Sequence, residues 1–216
     1  MPDDIHSTDI KSQTALQKAA AVISNVFTPI AVPTYAMALA LWLTPLVVLP
    51  ERMRLAVTGV IALITAVLPM ASIFALMRLG RISDFSISDR RERIIPFTVS
   101  VACYIGAAIY LRAVHAPSWL MMFYIGAAVT SAVAMIISLW WKISAHSSAS
   151  GGLVGIVGWL AFKGLINAGG VWWLTGMIIL VGLVATSRLI LHRHTLAQVI
   201  AGAALGCAVE ILIMNI

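Results

Sequence analysis

Apolar residues in this chain run in long blocks, and polar residues gather at the few points where the blocks break. A helix needs roughly 20 predominantly apolar residues to cross a bilayer, so each block can be measured against that length. Seven candidate spans result: 28–49, 55–77, 97–111, 118–141, 153–166, 171–186 and 195–216. The third and fifth are short, and the fifth lengthens if it begins as early as Ser148. The pattern predicts an all-α, polytopic membrane helical bundle of six or seven transmembrane helices.

Composition sharpens this reading. With 61% hydrophobic and 10% charged residues and a mean hydropathy of +1.01, the chain lies far outside the soluble globular range. The 216 residues offer too little interior to bury that much apolar surface. The sequence therefore divides into a polar N-terminal segment, 1–27, and one membrane-embedded domain, 28–216. Asp3 and Asp4 stand where a secretory leader would be basic, so no cleaved leader is expected. The helical period of "TALQKAAAVISNVF" predicts an interfacial helix. Cys103 and Cys207 fall inside spans and read as small hydrophobes rather than a disulfide or metal pair. "GAALG" at 202–206 and the spaced Gly152, Gly155 and Gly158 supply small residues for close helix packing.

Polar residues are scarce enough that their clustering is informative. They collect in "SDFSISDRRERIIP", "KISAH" and "SRLILHRH". Two spans separate the first cluster from the second, and two more separate the second from the third. An even number of crossings returns the chain to one face, so Arg90, Arg91, Arg93, Lys142, His146, Arg188, Arg193 and His194 are expected to converge there. Cations gathered beside hydrocarbon call for an anionic partner. Ordinary juxtamembrane anchoring accounts for single arginines. It does not account for two histidines, each placed at the end of a polar cluster just before a helix.

Thr195 and Gln198 have the Thr-x-x-Gln spacing of a capping box, which starts the last helix directly after His194. The serines of "SSAS" after His146 are good caps for the fifth span. Helix N-termini present free backbone N–H groups and partial positive charge, both suited to phosphate. Two such ends, several arginines and two histidines describe a phosphate-transfer pocket.

These residues resemble a known family. "SRLILHRHTLAQ" is similar to the motif Ser-Arg, five residues, His, three residues, Asp of the type-2 phosphatidic acid phosphatases, membrane relatives of the vanadium haloperoxidases. Gln198 stands where that motif has aspartate. "ISAH" keeps the serine and histidine of the family's Pro-Ser-Gly-His motif. "DRRERIIP" offers Arg90, Arg93 and Pro96 in the region of the family's first motif, without its spacing. The wording of the clusters is similar to divergent bacterial members.

The resemblance implies a division of labour. His194 is the expected nucleophile on phosphorus, and His146 the general acid and then base. Gln198 takes the position of the residue that orients the nucleophile. Arg188, Arg90, Arg93, Lys142, Ser144 and Ser187 are the expected phosphate-binding residues. Asp84 and Asp89 are candidates to supply the carboxylate that Gln198 lacks. No metal or cofactor is expected, since Asp84, Asp89 and Glu92 are mixed with cations rather than grouped as ligands. The implied activity is hydrolysis of a membrane lipid phosphate or diphosphate. A lipid phosphotransferase and a non-catalytic lipid-phosphate-binding protein are the alternatives. No nucleic acid partner is expected, and no homo-oligomer is indicated. The bacterial cytoplasmic membrane is the expected location, with two opposing arguments for sidedness. Lysines and arginines on the active-face loops and N-terminal segment read as cytoplasmic, whereas the resemblance favours a periplasmic face.

Overall fold

The computed structural model describes residues 3–83, 87, 89 and 91–216, with side chains from residue 14 onward. Arg90 and Asp84 lie outside the described residues. Among the described residues the secondary structure is helical, with α1 (Asp3–Val26), α2 (Val32–Leu43), α3 (Glu51–Ala62), α4 (Leu68–Arg78), α5 (Ile94–Ala113), α6 (Ser118–Ser138), α7 (Ala145–Phe162), α8 (Gly170–Ile190) and α9 (Leu196–Ile213).

Five segments are each long and apolar enough to cross a membrane: Glu51–Arg78, Arg91–Ala113, Ser118–Ser138, Gly170–Ile190 and Leu196–Ile213. The chain is a multi-pass membrane protein. Side chains such as Ile109, Ile178, Ile179 and Leu212 are more than half exposed on these helices, as a lipid-facing surface requires.

The expected first span, 28–49, is interrupted. Pro45 disfavours helical backbone at the residue before it, and Thr44 accordingly turns extended, with φ −105° and ψ 176°. Its hydroxyl then caps a short 3₁₀ turn, Pro45–Val48, by accepting from Leu46 N–H at 3.3 Å. The remaining α2 has 12 residues, about 18 Å at 1.5 Å per residue. The second span, in contrast, is continuous from Glu51 to Arg78 through a π-helical turn, Leu63–Val67. Pro69 has no N–H to give to the preceding turn, and the widened turn absorbs the loss.

The packing that matters for the site is the pair α7–α9. A β-carbon on Gly206 would collide with the Ser148 carbonyl, one on Gly151 with the Ala203 carbonyl, and one on Gly202 would lie 2.7 Å from the Ser144 carbonyl. Only glycine permits this approach of two backbones. One turn further along, Glu210 packs over Gly126, Gly152 and Gly155. The core beside this pair, built on Met37, Ile61, Leu111, Leu120, Tyr124 and Ile156, comes from α2, α3, α5, α6 and α7. Cys103 and Cys207 are free and half-buried.

Candidate functional site

The close approach of α7 and α9 brings their N-termini side by side, where Ser144 N–H reaches the Gln198 carbonyl at 3.4 Å. Each start is fixed by its own sequence. Ser144 is the N-cap of α7, its hydroxyl accepting from Ser147 N–H at 3.3 Å. The helix thus begins ahead of "SSAS", the caps expected from sequence, and His146 sits inside the first turn rather than before it. The serine one residue before Ala145 wins because Thr/Ser-type caps need extended backbone, and Ser144 has it, with φ −83° and ψ 105°.

The turn from α8 to α9 is equally specified. Arg193 N–H bonds the Arg188 carbonyl at 3.1 Å and His192 N–H the Leu189 carbonyl at 2.9 Å, the paired bonds of a Schellman motif. His192 adopts the left-handed conformation, φ 51°, that this motif demands. Thr195 follows as the N-cap of α9. The turn therefore places Arg188, in the last turn of α8, against His194 at the threshold of α9.

Gln198 decides the chemistry of His194. Its Oε1 accepts the Thr195 N–H at 3.2 Å and lies 3.0 Å from His194 Nδ1. A backbone N–H can only donate, so the atom it meets is the amide oxygen. Facing that oxygen, His194 Nδ1 must carry a proton, and Nε2 holds the lone pair. The amide thus sets the tautomer that an aspartate would set, without supplying its negative charge. His194 is 8% exposed. Burial, followed by the charges of Arg93, Arg188 and Lys142, outweighs the Gln198 hydrogen bond and lowers its pKa from 6.5 to about 4.

Arg188 is buried, at 6% exposure. Its Nη1 donates to the Ser24 hydroxyl at 2.6 Å, while its buried Nε has no partner among the described residues. An arginine N–H left unpaired in a buried site is costly, and an anion is the natural acceptor. Arg93, also buried, donates from Nε to the Ile87 carbonyl at 3.0 Å and from Nη1 to the Ile143 carbonyl at 3.1 Å. It ties the loop before α5 to the turn before α7. His146 Nε2 lies 3.2 Å from the Ser24 carbonyl, so this nitrogen carries the proton. Burial and the Arg188 charge lower the pKa of His146 to about 3, against the Ser24 contact, which raises it.

Arg93, His146, Arg188 and His194 line one cavity of about 380 Å³, together with Ser24, Asn25 and Thr28. Its other walls are mostly apolar, with Pro29, Ile30, Met70, Ile73, Pro96 and Phe97, and include Ser100. The convergence expected from an even number of crossings is present for these four residues. Other expected phosphate ligands have local partners instead. Ser144 caps α7, and the buried Ser187 hydroxyl donates to the Val184 carbonyl at 2.7 Å. Lys142 is half-buried outside the cavity lining, and Arg193 and His192 are exposed. Asp89 accepts from Arg91 N–H at 2.9 Å in the loop before α5.

Residues 137–216 match the PAP2 superfamily. That PAP2 segment holds His146, Arg188, His194 and Gln198, but neither Arg93 nor α1. The match covers the C-terminal part of the chain, from the end of α6 through α9. No curated protein and no solved structure matches the chain.

Sequence reasoning missed the contribution of α1. A polar pair, Ser24-Asn25, near the end of an apolar helical stretch was its available signal. The last carbonyls of a helix lack intrahelical partners. Here the Ser24 carbonyl faces His146, and the Val26 carbonyl takes the Tyr35 hydroxyl at 2.9 Å. The end of α1 is thereby held against the site.

Proposed function

We propose that this protein hydrolyses a membrane lipid phosphate or diphosphate through a phosphohistidine at His194. The observation that carries the reading is the cavity itself: a neutral imidazole of set tautomer, a buried arginine with an unpaired donor and a second histidine face apolar walls from α4 and α5. A phosphate head fits the cationic end and a hydrocarbon chain the other.

His194 Nε2 attacks phosphorus in line, forming the N–P bond as the P–O bond to the lipid alkoxide breaks. Arg188, with its free Nε, and Arg93 offset the charge on the phosphoryl oxygens. The alkoxide takes its proton from His146. His146 takes up that proton as substrate binds: burial keeps the ring neutral in the empty site, the Arg188 charge adds to it, and a bound phosphate offsets the charge part. In the second step His146 removes a proton from water, the water oxygen bonds phosphorus, and the N–P bond breaks to release phosphate. Gln198 holds the Nδ1 proton throughout.

Purified protein is to be assayed for phosphate release from phosphatidic acid, phosphatidylglycerol phosphate and a polyprenyl diphosphate, with mass spectrometry for phosphohistidine on quenched enzyme. Release together with a phosphorylated His194 is the expected result. Lipid binding without release from any of these substrates replaces the enzyme reading with that of a lipid-phosphate-binding protein.

A further inference from the structure

Ser24 is a serine on a helix outside the PAP2-matching segment, yet it is 3% exposed and touches two of the four charged or titratable residues of the cavity. Its hydroxyl oxygen accepts from Arg188 Nη1 at 2.6 Å, and its carbonyl faces His146 Nε2 at 3.2 Å. A serine hydroxyl has one proton to donate and two lone pairs. Arg188 uses a lone pair, and among the described residues no acceptor takes the proton. The neighbouring unpaired Arg188 Nε is a second donor without an acceptor. Two donors on side chains joined by one short bond, both side chains belonging to residues that line the same cavity, form a pair suited to the same kind of ligand.

We propose that Ser24 is a phosphoryl-binding residue: its hydroxyl, aligned by Arg188, donates to a phosphoryl oxygen, so that α1 supplies part of the anion site. This rests on the phosphatase reading and extends it to a residue outside the PAP2 segment. The arrangement also gives α1 a chemical task. The Ser24 side chain binds the ligand, and its backbone carbonyl, facing His146 Nε2, holds the imidazole ring in place beside it. The Val26 carbonyl, held by Tyr35, and the Ser24 carbonyl, held by His146, keep the helix end in register for both.

The test uses full-length protein and Ser24→Ala, with inorganic phosphate as the binding probe and short-chain phosphatidic acid as the turnover substrate. Losing one hydrogen bond to a charged group should weaken phosphate binding about tenfold and lower kcat/KM by a similar factor. Val22→Ala, which truncates an exposed side chain on the same helix, should change neither. The circular dichroism spectrum of Ser24→Ala should match wild type, since alanine favours helix. Wild-type phosphate affinity in Ser24→Ala overturns the proposal, even if turnover falls, because turnover alone would fall through a misaligned Arg188. If wild type binds phosphate but hydrolyses no lipid phosphate, the catalytic reading fails while the affinity comparison still decides Ser24. Absence of phosphate binding in wild type sinks both.

Discussion

The two sides of the cavity are built by different means. His146, Arg188 and His194 stand on α7, α8 and α9, where glycine-to-carbonyl contacts lock α7 to α9 and a Schellman turn fixes the step from α8. Ser24 and Arg93 come from α1 and the loop before α5: Ser24 meets Arg188 through its hydroxyl and His146 through its carbonyl, and Arg93 donates to the Ile87 and Ile143 carbonyls. Backbone-on-backbone contact leaves no freedom for the reacting groups. On the opposite wall α1 packs along α8 and side-chain hydrogen bonds set the position of each group. The family match to residues 137–216 falls on the rigid side.

The comparison breaks most sharply at His194. Its replacement by alanine should abolish phosphate release, a loss on the order of 10⁶-fold where a nucleophile is removed, with helix content unchanged because His194 precedes α9. Appreciable turnover in that variant would remove the phosphohistidine mechanism. The rigid side should be as intolerant of volume as the nucleophile is of loss. Gly206→Val places atoms into the Ser148 carbonyl, and overpacking against backbone costs about 3 kcal/mol or more. A fall in the detergent thermal midpoint, with little folded protein recovered, is expected; wild-type stability would mean that α7 and α9 separate easily.

Arg188→Lys keeps the charge and discards the planar fork that spans Ser24 and the ligand. Turnover should fall about 10²-fold, the usual cost of one stabilising donor. Arg193→Lys, at an exposed position beyond the cavity, should be close to neutral. Equal effects at the two arginines would place the phosphate elsewhere.

Much of the rigid side was legible in the chain. The polar clusters and the even number of spans between them foretold that His146, Arg188 and His194 would meet. Thr195 and Gln198 foretold the start of α9, because capping is local chemistry. Pro45 was a visible helix breaker inside an apolar block, and measuring only hydrophobic length passed over it. The role of Ser24 was not legible: its partner Arg188 is 164 residues away, and a Ser-Asn pair near a helix end has the same local pattern whether it meets lipid, backbone or a guanidinium. The serines of "ISAH" and "SRLILHRH" were recognisable as motif positions, but their hydrogen bonds go to helix backbone.

Electrostatics offers a smaller test of how closed the rigid side is. Burial and nearby arginines hold His194 near pKa 4, below its ordinary 6.5. A folded-state pKa below the unfolded one means that the fold favours the neutral ring. Its stabilising contribution is complete above about 6.5 and is lost as pH falls toward 4. Imidazole NMR of the ligand-free protein should therefore show His194 uncharged at pH 5.5, and added phosphate should shift its titration upward. Ordinary titration near 6.5 would indicate a solvent-filled site.

The smallest expected effect concerns Gln198, where the amide performs half of a carboxylate's work. Its oxygen already holds the Nδ1 proton of His194 and the Thr195 N–H, so the nucleophile is correctly presented. What the amide lacks is the charge that stabilises the imidazolium formed as N–P bonding begins. Gln198→Glu preserves chain length and both acceptor contacts while adding that charge, and a negative group in the first turn of α9 suits the helix dipole. Turnover should rise by up to about tenfold, the equivalent of one pKa unit gained by His194. Glutamate should also move the His194 titration upward in the same NMR measurement, so the kinetic and electrostatic effects can be compared in one variant. If activity drops while that titration rises, a second carboxylate already serves the site and the new one repels it. Asp84 and Asp89 are the sequence candidates for that group, and cycles pairing Gln198→Glu with Asp84→Asn and with Asp89→Asn measure the coupling directly: recovery in one double variant assigns the charge to that aspartate, and additive losses in both assign it to neither.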